Sequence, residues 1–141
     1  MKHLYLLVML IFFTTILDSN IYAQERVRSE KYVMQTDQLV SQVEDIKSYL
    51  SRETKFKAEY PEISDTIEEH TNPRMDYFLK AKKAFQEGEM KIAVQSLRSA
   101  REIINNDVRQ LSKVRDREAT SEILRLEREL GRNVDSLLRD F

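Results

Sequence analysis

Hydrophobic residues recur along most of the chain at steps of three, four and seven, the spacing that places them on one side of an α-helix. The first row of this kind lies between residues 25 and 56, and polar residues fill the positions between its members. The members are Tyr32, Leu39, Val43, Ile46 and Leu50. The pattern predicts a helix over residues 25–56, which at about 30 residues is roughly 45 Å long.

Two prolines interrupt the pattern after this helix. Pro61 and Pro73 both suit the first turn of a helix, so the sequence predicts a connector with one short helix over residues 62–69. A second helix then begins at Pro73, with Thr71 or Asn72 as its N-cap, and runs to residue 87. Its expected buried row consists of Met75, Phe78, Leu79, the stem of Lys82, and Phe85.

A third long row follows Gly88, a residue that commonly ends a helix in a positive-φ conformation. It predicts a helix over residues 89–115, with Met90, Val94, Leu97, Ile104, Val108 and Leu111 on its seam. Residues 112–122 have few apolar positions. A last row, which predicts a helix over residues 121–139, comprises Ile123, Leu126, Leu130, Val134, Leu137 and Phe141. The chain either turns near residues 116–121, with Thr120 or Ser121 as a cap, or continues as one helix; the pattern favours the turn.

Composition agrees with a helical fold. The 141 residues include only two glycines and two prolines, fewer than a protein rich in strands and turns normally needs. We therefore predict an all-α bundle of three to four long helices in a single domain, residues 24–141. The formal net charge of −1 argues against nucleic-acid binding, which normally requires a basic excess.

The N-terminal segment has the features of a signal peptide. Lys2 supplies a positive charge, residues 4–17 carry no charge, and Ala23 provides the small residue that a signal peptidase requires before a cut at Gln24. An uncharged run of 14 residues is short against the roughly 20 that span a bilayer, although an uncleaved anchor is the alternative. We expect residues 1–23 to be removed and the protein to be periplasmic or secreted, with membrane contact only if the segment is retained.

Residues 77–105 contain small and bulky residues at intervals that suit two closely packed helices. They are Ala81, Gly88, Ala93, Leu97 and Ala100, with Tyr77 near the start. This spacing resembles one tetratricopeptide repeat. Asn105 stands where that family has its closing proline, and no second copy occurs 34 residues away in either direction. The stretch is therefore either a diverged repeat or a generic alanine-rich hairpin, and both predict the same geometry.

The sequence offers little that points to catalysis. His70 lies beside Glu68 and Glu69, but no second histidine outside the N-terminal segment supports a transition-metal site, and we interpret this stretch as a solvated loop. The chain has no cysteine and none of the common nucleotide or hydrolase motifs. Glu127 and Glu129 are interpreted as solvated members of short-range ion pairs. We predict no enzymatic activity, cofactor or small-molecule substrate.

Two functions remain on this basis. The first is an exported module that binds a protein segment, with Tyr77, Lys80, Lys82 and Lys83 as candidate contacts because repeats of this family present that helix on their inner face. The second is a structural protein of the cell envelope, in which the seams over residues 90–111 and 123–141 pair with a second copy as a coiled coil. A membrane-surface protein held by an uncleaved anchor is a third reading.

Overall fold

The computed structural model describes residues 2–141, with side chains from His3 onward, so the charge of Lys2 that the signal-peptide prediction uses lies outside it. The chain forms five α-helices: α1 (Lys2–Arg52), α2 (Thr54–Glu59), α3 (Pro61–Glu87), α4 (Met90–Ser112) and α5 (Arg117–Leu138). Residues 2–141 contain no strand, and the predicted all-α fold is confirmed.

Four long helices pack side by side around one core. In chain order, α1 contacts α3, α3 contacts α4, and α4 contacts α5, while α5 returns to contact α1. Successive long helices are antiparallel: Ser29 at the start of the packed part of α1 donates a hydrogen bond to the carbonyl oxygen of Phe85 near the end of α3 (2.7 Å). Likewise Lys31 lies 3.6 Å from Asp140, beyond the end of α5. We call residues 29–141 the helical body; within it, α3 and α5 are diagonal neighbours.

Each long helix contributes one buried row with alternating steps of three and four residues. On α1 the row is Tyr32, Thr36, Leu39, Val43, Ile46 and Leu50, and on α3 it includes Ile67, Arg74, Phe78, Ala81 and Phe85. On α4 it includes Ala93, Leu97, Ala100, Ile104, Asp107 and Leu111, and on α5 Ile123, Glu127, Leu130, Val134 and Leu137. We call these the core rows. The predicted row of α1 is buried at every position.

Helix α3 differs most from the sequence-based expectation. The two predicted helices, 62–69 and 73–87, are one continuous helix that passes through Pro73. A proline inside a helix removes one backbone hydrogen bond at about 3 kcal/mol. The core row of α3 runs across Pro73 without interruption, from Ile67 and Thr71 to Phe78, so burial on both sides holds the helix together. Leu79, which the sequence placed in the core, is 47% exposed.

A tight hairpin joins α3 to α4. Gly88 adopts a φ of 74°, a left-handed conformation that residues with a Cβ rarely occupy. Where the two helices pack, Ala81, Ala93, Leu97 and Ala100 are all completely buried. The small side chains therefore lie where the sequence placed them. Whether the hairpin is a diverged repeat stays a prediction.

The last two helices are separate, as the sequence favoured. A turn over residues 113–116 divides them, and the cap of α5 is Asp116, whose carboxylate accepts a hydrogen bond from the amide of Ala119 (3.2 Å). Thr120 and Ser121, the predicted caps, lie inside the helix. At Gly131 the guanidinium group of Arg101 on α4 lies against the backbone of α5: a Cβ built there would lie 2.6 Å from one of its nitrogens.

The N-terminal half of α1 projects from the helical body. Residues 3–28 are exposed throughout, although most of them are apolar up to Leu17. By length and composition this segment is able to cross a membrane, and signal sequences pass the same test. The predicted cleavage point, Ala23–Gln24, lies within the exposed part of the helix. Cleavage and export stay predictions.

Candidate functional site

Three charged side chains occupy core rows in the middle of the helical body. Arg74 on α3, Asp107 on α4 and Glu127 on α5 are each 0% exposed. Charged residues are almost never fully buried unless they are paired, and burying a charge without a partner is strongly unfavourable. These residues are therefore the most unusual chemical feature of the body, and we call them, with His70, the buried charge network.

The network is held together by short contacts between three helices. One terminal guanidinium nitrogen of Arg74, Nη1, donates to both carboxylate oxygens of Glu127, at 2.8 Å and 2.7 Å. The same Nη1 lies 3.3 Å from Oδ2 of Asp107. The other oxygen of Asp107 accepts a hydrogen bond from Nδ1 of His70 at 2.7 Å. Arg74 thus bridges the diagonal pair α3 and α5 across the centre of the core.

Charge and hydrogen bonding are not fully balanced in this network. One guanidinium faces two carboxylates, so the site carries an excess negative charge unless a proton is bound. In addition, Nε and Nη2 of Arg74 and Oδ2 of Asp107 have no hydrogen-bond partner among the described residues. Unsatisfied buried groups of this kind commonly lower stability by about 1–3 kcal/mol each.

Burial shifts the proton affinity of both carboxyls. It raises the pKa of Glu127 from its ordinary 4.5 to about 7, an effect that Arg74 opposes and the nearby Asp107 increases. Burial also raises the pKa of Asp107, against the opposing influence of Arg74 and His70. A second carboxylate beside a single guanidinium is costly to ionise. The network therefore takes up a proton close to neutral pH.

His70 is not in a solvated loop, so that interpretation is wrong. It lies inside α3, with its side chain 27% exposed, one turn before Arg74. Its neighbours Glu68 and Glu69 point to the exposed side, and Glu68 pairs instead with Lys57 on α2 (3.2 Å). Across the described residues, no group of three or more His, Asp or Glu side chains has an arrangement suited to a metal ion.

The network was missed because Glu127 was judged by its type rather than by its position, and because Arg74 and Asp107 were not singled out. Glu127 was expected in solvent among its charged neighbours, and that expectation is wrong. Its spacing from Ile123 and Leu130, four and three residues away, already places it on the core row. Asp107 lies three residues after Ile104 and four before Leu111, and Arg74 lies four residues before Phe78.

The four candidate contact residues do not form one surface. Lys80 and Lys83 are exposed and lie one turn apart on α3. Lys82 instead turns toward α1, where its ammonium nitrogen lies 2.7 Å from a carboxylate oxygen of Asp37. Tyr77 is partly buried against the core. Only Lys80 and Lys83 are therefore presented to solvent together.

Two rows of like charge lie on the outer surface. The acidic row on α3 consists of Glu62, Asp65, Glu69 and Asp76, and the arginine row on α5 consists of Arg117, Arg125, Arg128 and Arg132; all eight are exposed. The arginine row borders an open groove of about 450 Å³, whose apolar lining is Leu111, Val114 and Leu124. Arg125 pairs within its own helix, with Glu122 at 2.6 Å and Glu129 at 3.1 Å.

None of the four carboxylates, and none of Arg117, Arg128 and Arg132, has an oppositely charged group within 4.0 Å in the described part of the chain. The two rows thus differ from the buried charge network, whose charged groups contact one another inside the core. Arg74, Asp107 and Glu127 have no exposed surface, whereas the two rows are open to solvent.

Comparison with known proteins identifies no similar protein. No family model matches the chain, and no curated protein and no solved structure shows significant similarity to it.

Proposed function

We propose that this chain is an exported, non-enzymatic helical protein that acts by binding another protein. The observation that carries the proposal is the division of α1. Its exposed part, residues 3–28, which is mostly apolar up to Leu17, buries nothing, while the body that follows has a core of its own. A cleavable signal peptide or a membrane anchor, joined to a domain that packs independently of it, is the arrangement expected of an exported protein.

The position of the ionisable groups supports a non-enzymatic role. Arg74, Asp107 and Glu127 are the residues whose environment departs most from water, and such groups are the usual candidates for catalysis. Here they are completely buried and contact one another. They serve to fix the relative positions of α3, α4 and α5 rather than to meet a substrate.

The exposed side of α3 is the proposed contact surface for a protein partner. Lys80 and Lys83 are exposed on it, and the α3–α4 hairpin provides a rigid support because its small residues are fully buried. The likeness of this hairpin to a tetratricopeptide repeat is consistent with such a role. Periplasmic or secreted location follows from the proposed removal of residues 1–23.

Self-assembly in the cell envelope is the alternative function. The seams over residues 90–111 and 123–141 were its expected contact surfaces, but Leu97, Ile104, Ile123 and Leu130 are all completely buried within the chain's own core. Self-assembly therefore requires a different surface.

Two measurements test the proposal. N-terminal sequencing of protein from the exported fraction should begin at Gln24; an intact Met1 on the bulk of the protein argues against cleavage. Cross-linking in that compartment, followed by mass spectrometry, should yield a specific protein that is lost with Lys80→Glu/Lys83→Glu. The control variant Lys47→Glu, on the exposed side of α1, should retain it. Equal capture by both variants contradicts the α3 contact surface.

A further inference from the structure

The acidic row and the arginine row match in length. From Glu62 to Asp76 is 14 residues and from Arg117 to Arg132 is 15, which at 1.5 Å per residue gives roughly 21 Å and 22 Å. Their spacing also corresponds: the acidic row has charges at relative positions 0, 3, 7 and 14, and the arginine row at 0, 8, 11 and 15. When the rows are placed side by side from their first residues, three of the four carboxylates lie within one residue of an arginine, and the fourth, Asp65, lies between two arginines.

The two rows lie on opposite sides of the helical body and at the same height. Helices α3 and α5 are diagonal neighbours, and each row lies on the outer side of its helix, away from the core row. Both helices are antiparallel to α4, so they run in the same direction. Each row begins in the first turn of its helix, so both start at the end of the body that is remote from Gly88.

We propose that the arginine row binds the acidic row of a second copy of this chain. Because the rows are parallel, equally long and on opposite sides, a sideways translation of one copy brings its α3 against the α5 of the next. No rotation is required. The contact is heterologous and does not close on itself, so it builds a line of copies.

The distribution of charge along the chain supports a second copy as the partner of the arginine row. The formal net charge is only −1, yet the charges are unevenly divided: residues 29–89 carry nine Lys and Arg against thirteen Asp and Glu, and residues 90–141 carry eleven against nine. A chain close to neutral overall, with opposite excesses on its two halves, has little net repulsion between copies. The complementary surface required by the arginine row is thus already present on α3.

Other anionic occupants fit the groove less well. Its apolar lining consists of aliphatic residues only, whereas single-stranded nucleic acid is normally held by stacking on aromatic rings. A membrane headgroup layer is also disfavoured by position. The groove borders the end of α4, and the exposed part of α1 leaves the body near Phe85 and Asp140, about one helix length or roughly 33 Å away.

Because neighbouring copies are related by a sideways displacement without rotation, the line also determines how the exposed part of α1 is arranged. Every copy in the line has the same orientation, so residues 3–28 project from the same end of each body. Such a line is compatible with one membrane surface whether or not the segment is retained. The proposal rests on the helical body and does not require export.

Charge-swap variants test the contact with purified protein as isolated from the producing cell, in a non-ionic detergent. Sedimentation velocity at about 10 mM ionic strength, where the screening length is roughly 30 Å, should give a mass that rises with concentration, and NaCl at about 1 M should return the monomer. Arg128→Glu/Arg132→Glu and Glu69→Lys/Asp76→Lys, each alone, should weaken association at least about tenfold, since like charges then face each other.

Mixing the two variants gives the decisive result. In the mixture, the acidic α5 of Arg128→Glu/Arg132→Glu meets the basic α3 of Glu69→Lys/Asp76→Lys. The unchanged α3 of the first variant and the unchanged α5 of the second are also oppositely charged, so association should return to the wild-type level. The control Lys47→Glu/Lys91→Glu has the same charge change as Arg128→Glu/Arg132→Glu, on exposed positions away from both rows, and should associate like wild type. Circular dichroism at each composition confirms that the variants are folded.

Three outcomes overturn the proposal: a wild-type monomer at all concentrations and low ionic strength, a mixture that stays monomeric, or a control that loses association as the row variants do. A monomer that binds poly-L-glutamate through Arg128 and Arg132 assigns the groove to a different acidic protein. Loss of self-association in these experiments leaves the cross-linking result with Lys80→Glu/Lys83→Glu unaffected, so the two proposals fail separately.

Discussion

Replacing Glu127 by glutamine should remove most of the pH dependence of folding that the buried charge network creates. The amide keeps the size of the side chain and an oxygen that accepts from Arg74, but it does not titrate. In the wild type, burial raises the pKa of Glu127 from 4.5 to about 7. The protonated carboxyl is therefore favoured by folding, and its stabilising contribution is complete below pH 4.5 and lost as the pH rises through about 7.

The size of the effect follows from the same two values. A carboxyl whose pKa rises from 4.5 to about 7 binds its proton about 3 kcal/mol more tightly in the folded chain. Between about pH 5 and about pH 8, roughly 2 kcal/mol of this contribution is lost. With a urea dependence of about 2 kcal/mol per molar, the midpoint of unfolding should fall by about 1 M over that interval.

Urea unfolding followed by circular dichroism, at constant ionic strength across this pH range, measures the change. The midpoint of Glu127→Gln should vary much less than that of the wild type, and the difference between the two proteins should grow toward high pH. Glu129→Gln, at a partly exposed site on the same helix, is the matched control and should follow the wild type. Parallel curves for wild type and Glu127→Gln would refute the assignment of the proton to this site.

Two further predictions concern the core. Arg74→Leu should lower the free energy of unfolding by about 3–5 kcal/mol at about pH 8, because two buried carboxylates lose their counter-ion. Arg125→Leu removes exposed pairs only and should lower it by at most about 1 kcal/mol. Equal losses for the two variants in urea unfolding would contradict the role of burial. Ala93→Leu should overpack the α3–α4 hairpin by roughly 1–3 kcal/mol, while Lys91→Leu, on the exposed side of α4, should change little. A harmless Ala93→Leu would show that the two helices are not in close contact at this position.

Hydrophobic spacing was sufficient to predict helices, and for α1 it also predicted the core. Every member of the predicted row, from Tyr32 to Leu50, is buried, because apolar side chains at these steps have only one side of the helix on which to lie together. The turn at Gly88 was predicted for a related local reason, since its positive φ of 74° favours glycine.

The remaining features depend on contacts that local rules do not describe. Pro73 was read as a helix start, since its local preference is strong, but burial on both sides of it continues α3. Leu79 was included in the expected buried row of its helix, although it lies off the core row and is 47% exposed. Glu127 was expected outside because it is charged, and Arg74 was not singled out from the sequence. Their burial depends on each other, because neither position tolerates a charge without the opposite charge on the diagonal helix.

The closure of α5 onto α1 sets an order of events during synthesis. Tyr32 packs against Phe141 with ring centroids 4.9 Å apart, and these residues are separated by more than a hundred positions in the chain. Until the ribosome has made α5, the core row of α1 lacks one of its two neighbouring helices, and contacts so distant in sequence form late. A nascent chain that lacks α5 cannot complete its core and remains unfolded for longer, a delay that is consistent with the export proposed above.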